Sequence, residues 1–523
     1  MRILITESSS LVGSTLGAAL AGDHEITTLD RSGAGQPTYV GDARDRELAA
    51  HASTECDAIV HILPAASADL DPAELIDLAT RSTYNLLTTT TAERFILVST
   101  LRIFEAYPVE WRISEWWAPR PSTDAADLAP YLAEVTAREL SRVRPVEVIA
   151  LRLGEPVVPE GATGSADLRA LHVEDAVQAI ERALAYAPSE HERGAGWSVF
   201  HIPGGGRGAR FPLGLAGQAR FGYAPRHDLT GSEALAASTA PAPSAAVAVP
   251  RASGAPRRVV IYGAGGPLGA VAADNLHHDH ILRLTDARPL EAIVASGERQ
   301  SPFAPLPRLL DAPHEREVVD VTDYAQVLRA AQGMDAIINC SVVRPHPVQA
   351  FRVNMLGAYN VMRAAVELGI QRIVHTGPFQ LGLDHPAGYT YDWDLADDTP
   401  ARPGDDLYII TKLLGQEICR IFAEERKLEV PALLFCAFVA PESPPPEPLG
   451  TFPFSISWAD AAAAIRQALR IPSFPRPFQI LHIQADLPHG KYRNTKAKHL
   501  LDWQPKDQLE AHWLRALDPE RNA

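Results

Sequence analysis

The sequence predicts a tandem α/β protein: two doubly wound parallel sheets, each with a small C-terminal region. Three observations predict it. One order of short apolar strands and helical segments occurs twice, the internal spacings repeat, and a stretch without folding pattern separates the copies. The domains are residues 1–229 and 257–523. The Ala/Pro/Ser-rich segment 230–256 between them has no aromatics and no apolar periodicity. It cannot bury enough surface to offset chain entropy and reads as a linker.

Each copy opens on an apolar strand, "RILIT" or "RVVIY", followed by a loop and a helix. From Gly13 to Asp30 and from Gly269 to Asp286 is 17 residues in both copies, each aspartate ending the second strand. "DAIVHI" from Asp57 and "DAIINC" from Asp335 read as buried strands, and "RFILVST" and "RIVHTG" as the next ones. From Thr100 to Tyr131 and from Gly377 to Tyr408 is 31 residues. The second copy carries 22 extra residues between Asp286 and Asp335, assigned to a polar, Pro-rich loop around 289–315. Strands alternating with helical segments make βαβ units and a parallel sheet.

Composition narrows the function classes. A chain of 523 residues with net charge −16 is a poor general nucleic-acid binder and a poor partner for anionic membranes. Cys56, Cys340, Cys419 and Cys436 show no C-x-x-C spacing, which suits reduced, buried thiols in a cytoplasmic protein. No apolar run approaches the ~20 residues that span a bilayer. The opening "MRILITESSS" reads as a strand rather than a signal peptide.

The two first loops differ in a way that matters chemically. "YGAGGPLG" (262–269) supplies Gly263 for the tight turn, Gly266 for close approach of a pyrophosphate, and Gly269 for helix-on-strand packing. With Asp286 ending the second strand, the context is that of a dinucleotide site, and the carboxylate favours NAD over NADP. Asp320 joins the cofactor candidates; in the first copy Asp30 and Asp42 survive. "TESSSLVG" (6–13) has Glu7 and Ser10 where the first two glycines belong. A Glu7 carboxylate within ~4 Å of a phosphate costs ~4 kcal/mol at an effective dielectric near 20. The first copy is therefore read as a degenerate site.

The second copy also carries "YIITK", with Tyr408 and Lys412 four apart and so on one helix face. Such a spacing arises by chance about 0.15 times in a chain with 13 Tyr and six Lys. A tyrosine near pKa ~10 is a poor base until a neighbouring cation favours the phenolate. The first copy has Tyr131 but Val135, and no lysine precedes Lys412. It keeps Ser99 and Thr100. The second copy has Gly377, with Thr376 as the nearby hydroxyl. Arg344 and His346, in "SVVRPHP", are candidates to touch substrate.

Both copies resemble extended short-chain dehydrogenase/reductases, the NAD-dependent epimerase/dehydratase family, over residues 1 to about 228 and 257 to about 515. "LHVEDAVQAIERAL" and "SWADAAAAIRQAL" are similar to that family's late helix, "FGYAP" and "LDWQPK" to its closing segment. Within the family the second copy is most similar to uronate dehydrogenases, through "ILRLTDARPL", "FRVNMLGAYNVMRAA", "YIITKLLGQE" and "LLDWQPKDQLE". The resemblance implies a Rossmann-like sheet, NAD, a Ser/Thr–Tyr–Lys group, and pairing of two folds through helices, here as an intramolecular pseudo-dimer or a homodimer. It assigns Tyr408 as acid/base and Lys412 as the cation that lowers its pKa and holds the nicotinamide ribose. Thr376 offers oxyanion support. The family serine falls at Gly377 and its arginine after the sixth strand at Phe435, against Arg152 in the first copy, which counts against a uronate. The expected function is NAD-dependent oxidation or epimerisation of a sugar or sugar-like alcohol by the second domain. The alternatives are a catalytically silent NAD-binding scaffold or sensor and a site composed of both halves. No metal is expected.

Overall fold

The computed structural model describes residues 1–158, 170–188, 196–205, 209–227, 256–300, 303–379, 395–442, 454–487 and 492–509. The chain divides into two compact units, Met1–Ala245 and Ala246–Ala523. Residues 230–255 of the expected linker lie outside the described residues.

In unit one the order is β1 (Arg2–Thr6), α1 (Leu11–Leu20), β2 (Glu25–Asp30), β3 (Tyr39–Val40), α2 (Arg46–Ala52), β4 (Ala58–Ile62), α3 (Pro72–Thr89) and β5 (Arg94–Thr100). Then come α4 (Ala125–Ser141), β6 (Glu147–Leu153), β7 (Glu155–Val157), β8 (Ala170–His172), α5 (Val173–Ala185) and β9 (Trp197–Ile202). Seven strands form one all-parallel sheet in the order β3-β2-β1-β4-β5-β6-β9.

Unit two repeats this plan with β10 (Arg258–Tyr262), α6 (Pro267–Leu276), β11 (Ile281–Asp286), α7 (Leu290–Ser296), β12 (Glu315–Val318), α8 (Tyr324–Ala331) and β13 (Ala336–Asn339). A π-helical turn (Phe351–Leu356) runs into α9 (Gly357–Leu368), followed by β14 (Arg372–Pro378), α10 (Leu407–Arg426), β15 (Val430–Phe435) and β16 (Ala437–Val439). The unit closes with β17 (Ser455–Ser457), α11 (Trp458–Arg470), β18 (Phe478–His482) and α12 (Thr495–Leu501). Its sheet order is β12-β11-β10-β13-β14-β15-β18, again parallel. The expected fold class is what the structure has.

The central strands are continuous apolar runs because helices cover both faces of each sheet. β15, "VPALLF", is buried throughout. Each sheet carries its own core: Ile3, Ile5, Val60 and Ile96 in unit one, Val259, Ile261, Ile338 and Val374 in unit two. Asp71 caps α3 ahead of Pro72, and Asp406 caps α10 by accepting the Ile409 N–H at 2.9 Å.

Two expectations are corrected by the backbone. The segment 289–315 is not all loop. Leu290 and Ile293 bury one face of α7, and Gly297, at φ 61°, ends it in the left-handed conformation. The strand alignment also shifts by one residue. Arg94 lies opposite Ala58 and Arg372 opposite Ala336, so Gly377 is the counterpart of Ser99, not of Thr100. Ser99 pairs with Arg152 and Gly377 with Leu434, so Leu434 rather than Phe435 stands in the arginine's place.

Several histidines are buried without charge partners. Burial depresses His61, His375 and His482 to about 3. Above pH 6.5 they are neutral in both the folded and unfolded states and contribute nothing to pH dependence. Below it the unfolded chain takes up protons that the fold refuses, so each removes about 1.4 kcal/mol of stability per pH unit, down to the folded pKa. Leu97 is the counterpart of His375 in unit one and is fully buried, so leucine suits such a position. His375→Leu is expected to leave stability at pH 7 within about 1 kcal/mol and to cut the loss between pH 7 and pH 5 by about 2 kcal/mol. Urea melts at the two pH values check it. An unchanged difference would mean that His375 titrates normally in the fold.

Candidate active site

In a doubly wound sheet the ligand crevice lies beyond the strand C-termini where the strand order reverses, here between β10 and β13. The loop after β10 is tight. Gly263 has φ 78°, and a Cβ there would lie 2.8 Å from the Cys340 carbonyl carbon. A Cβ at Gly269 would come 2.3 Å from the Gly263 carbonyl oxygen. Gly266 differs: its added Cβ would meet only the Gly263 oxygen, at an ordinary 3.5 Å. Gly266 is also the N-cap of α6 and provides no side-chain cap. Pro267, the first residue of this ten-residue helix, has no N–H, so the donors left without a capping side chain are the Leu268 and Gly269 N–H groups; both residues line the cleft with Gly266, an arrangement that fits a pyrophosphate.

Asp286 stands at the end of β11. Its carboxylate accepts the Gly265 N–H at 3.0 Å and the Arg288 N–H at 3.3 Å, which ties the glycine loop to the second strand. Asp320 is exposed two residues beyond β12 and accepts the Thr322 N–H at 2.9 Å. The glycines fit a dinucleotide, and Asp286 is positioned beside them.

Unit one closes the same place with its own side chains. Ser10 Oγ accepts the Gly13 N–H at 3.1 Å and caps α1. Glu7 sits at φ 48°, and Arg31 holds its carboxylate at 2.9 and 3.1 Å. This corrects the expectation of an uncompensated carboxylate facing a phosphate: Arg31 largely neutralises Glu7. Asp30 accepts from the Ser9 N–H at 2.7 Å, the Ser32 N–H at 2.9 Å and the Ser32 hydroxyl at 2.7 Å. Asp42 binds Arg44 at 2.6 Å. The space left among Glu7, Arg31, Asp42 and His61 is about 20 Å³, too small for an adenine ring.

The unit-two cleft has a volume of about 300 Å³ and runs from Gly266 and Gly269 to Thr376, Gly377, Tyr408 and Lys412. Lys412 is buried. Its ammonium donates to the Ser341 carbonyl at 2.9 Å and the Thr376 carbonyl at 3.4 Å, leaving a third N–H. Burial lowers its pKa to about 8, so the cation still prevails at pH 7. Tyr408, one turn earlier on α10, lines the same cleft, and the Arg344 guanidinium stands 5.7 Å from the centre of its ring.

The other substrate-side candidates divide. Arg344 is exposed and lines the cleft. His346 is not among the cleft residues; its Nδ1 accepts the Val348 and Gln349 N–H groups at 3.2 and 3.1 Å and so caps the turn that follows. Thr376 lines the cleft, yet its hydroxyl donates to the Asn339 carbonyl at 2.9 Å. That proton is not available to a developing oxyanion.

The sequence reading missed Asn354, in the π-helical turn. Its side chain accepts the Val343 N–H at 3.0 Å and donates to the Val343 carbonyl at 2.8 Å and the Thr411 hydroxyl at 3.0 Å. It thereby clamps the loop bearing Arg344 to the helix bearing Tyr408 and Lys412. Gly415 permits this approach, since a Cβ there would lie 2.3 Å from the Asn354 carbonyl oxygen. The signal available was "VNMLGAYN", quoted for its resemblance but not for its chemistry.

The corresponding region of unit one holds a buried ion pair. Glu134, between Tyr131 and Val135 on α4, binds Arg152 at 2.7 Å and accepts the Ser99 hydroxyl at 2.6 Å. Arg152 lies 3.3 Å from His201 Nε2 and over the Phe104 ring. The arginine expected to hold a substrate carboxylate already holds an internal one. Elsewhere in unit one, His172, Glu174 and His227 each bring a ligand atom within 4.8 Å of the others. Their arrangement does not suit a metal: the imidazoles stack at 3.6 Å and 16°, and parallel rings cannot both aim an in-plane lone pair at one ion.

Against known proteins, residues 259–464 match the sequence model of the NAD dependent epimerase/dehydratase family, so the match falls within unit two. Over 185 residues the chain is 28% identical to L-arabinose 1-dehydrogenase (NAD(P)(+)) of Haloferax volcanii, covering 33% of this chain and 64% of that protein. This chain therefore spans a little under two thirds of that relative's length. Similar solved structures include uronate dehydrogenase from Agrobacterium tumefaciens, with 25% identity, TM-score 0.40, 50% of this chain and 92% of that one. Glucuronic acid dehydrogenase from Chromohalobacter salexigens is similar at 21% identity and TM-score 0.40, over 51% of this chain and 92% of that one. No helix among the described residues is long and apolar enough to cross a membrane.

Proposed function

We propose that unit two is an NAD-dependent oxidoreductase or epimerase acting on a sugar or sugar-like alcohol, and that unit one does not catalyse. One observation carries this reading: an uncapped, glycine-edged helix N-terminus and the Tyr408–Lys412 pair line one cleft. NAD, when bound, supplies the hydride acceptor or donor. The N–H groups at the start of α6 would hold its pyrophosphate, and Asp286 would accept from the adenosine ribose. Lys412, anchored on two carbonyls, keeps one N–H for the nicotinamide ribose. Its charge stabilises the Tyr408 phenolate, so Tyr408 can take the substrate hydroxyl proton or return it. Asn354 fixes the helix and loop that present these groups.

The test is reduction of NAD at 340 nm with a panel of sugars, sugar acids and cyclitols. Slow turnover is expected, because Gly377 supplies no hydroxyl and the Thr376 proton is engaged. That same shortage favours a second reading, a silent NAD-binding scaffold. NAD binding without any absorbance change across the panel would select it. Asp286 adds an expectation about the cofactor: a 2′-phosphate beside this carboxylate is repelled, so NAD should bind at least ~10-fold more tightly than NADP. Equal dissociation constants would contradict the role given to Asp286.

A further inference from the structure

Tyr408 has a second cation beside it, and the inference drawn from this rests on the reading of Tyr408 as the acid/base of unit two. The Arg344 guanidinium stands over the Tyr408 ring, 5.7 Å from its centre, and both residues line the cleft. A cation is drawn to the negative face of an aromatic ring. Ionising the phenol adds a full negative charge to that ring. The attraction then grows, so the guanidinium favours the phenolate over the phenol.

The fold builds this placement. Val343, next to Arg344, gives its N–H to the Asn354 side chain at 3.0 Å, and its carbonyl accepts from that side chain at 2.8 Å. Asn354 also donates to the Thr411 hydroxyl at 3.0 Å, and Thr411 lies on α10 between Tyr408 and Lys412. One side chain thus ties the loop holding the guanidinium to the helix holding the phenol. Arg344 acts on Cys436 as well. Desolvation pushes that thiol up and the guanidinium opposes the rise, so its charge reaches into the cleft although the side chain is exposed. The two copies differ here as they do at Lys412. Arg344 stands eight residues beyond Ala336, and eight residues beyond its counterpart Ala58 stands Ala66. The copy without the lysine lacks this arginine too.

The neighbouring charges have definite places. Among the described residues, Lys412, Cys340 and Cys436 share the cleft with Tyr408 and Arg344. His375, on β14 near Lys412, is kept neutral by burial. Asp405 and Asp406 precede α10, and Asp406 is engaged as its cap.

We infer that Arg344 acts through Tyr408, as a second cation that favours the phenolate alongside Lys412. Because Arg344 is exposed, water and salt weaken its pull, which leaves an effect of ~0.5–1 pH unit on the ionisation of Tyr408. That ionisation is read in the full-length chain by tyrosinate absorbance, as the difference between each protein and the same protein carrying Tyr408→Phe. Arg344→Met should raise the midpoint by ~0.5–1 pH unit, and Arg344→Lys, which keeps the charge, should recover part of the shift. High salt should raise the wild-type midpoint and move that of Arg344→Met less. Where turnover is measurable, the limb of the kcat profile that reports this ionisation should shift with the absorbance. Lys412→Met is the reference. If it raises the midpoint and Arg344→Met does not, the inference fails and the reading of Tyr408 stands. If neither substitution moves the midpoint, both fail. An equal rise in Arg344→Met and Arg344→Lys would make the arginine a packing element and overturn the inference as well.

Discussion

Gly266→Asp should abolish NAD binding by the intact chain, while Ser10→Asp should leave it unchanged. The Gly266 substitution is a clean one, since an added Cβ meets nothing closer than 3.5 Å and the fold has no reason to fail. What it introduces is a carboxylate at the helix N-cap, where the pyrophosphate would sit. Two like charges ~4 Å apart at an effective dielectric near 20 cost ~4 kcal/mol, roughly a thousandfold in affinity. Ser10 already caps α1 through its own oxygen, and aspartate is an equally good cap. Calorimetric titration of both variants, with circular dichroism as a control on folding, checks the pair. Retained binding in Gly266→Asp would move the cofactor elsewhere.

Tyr408→Phe carries the second large effect. It removes only the phenolic oxygen, so NAD should bind as before and turnover should fall by ~10²–10⁴, the usual contribution of a positioned acid/base. Gly377→Ser should act in the opposite direction. Ser99, its counterpart in unit one, has a hydroxyl that already donates to Glu134 at 2.6 Å, so serine is compatible with this strand position. A donor restored near a developing oxyanion is worth up to ~10²–10³ in rate, of which only part is expected without further adjustment. Lys412→Met should weaken both cofactor binding and turnover, because one cation serves both. Initial rates at 340 nm and NAD titrations separate these outcomes. Full activity in Tyr408→Phe would remove it from the chemistry.

Much of this was legible in the sequence because it depends on local pattern. The paired strand order, the glycine loop and the four-residue Tyr408–Lys412 spacing are short-range features, and all three reappear in the structure. Register was less legible. The 31-residue spacing from Gly377 to Tyr408 matched the one from Thr100 to Tyr131, yet the sheet pairs Gly377 as it pairs Ser99. Ladder hydrogen bonds set register, whereas a connecting loop can absorb one residue without cost. Long-range partners were not legible at all. That Arg152 holds Glu134, that Arg31 holds Glu7, and that Asn354 joins Val343 to Thr411 depend on side chains brought together by packing. The helix at 290–296 was obscured by the surrounding prolines.

The central claim is that the duplicated fold keeps one working cofactor site, in unit two. The most direct measurement is the stoichiometry of NAD binding to the cofactor-free, full-length chain by isothermal titration. The account predicts one NAD per chain, lost in Gly266→Asp. Two equivalent sites per chain, or a single site that survives Gly266→Asp, would contradict it.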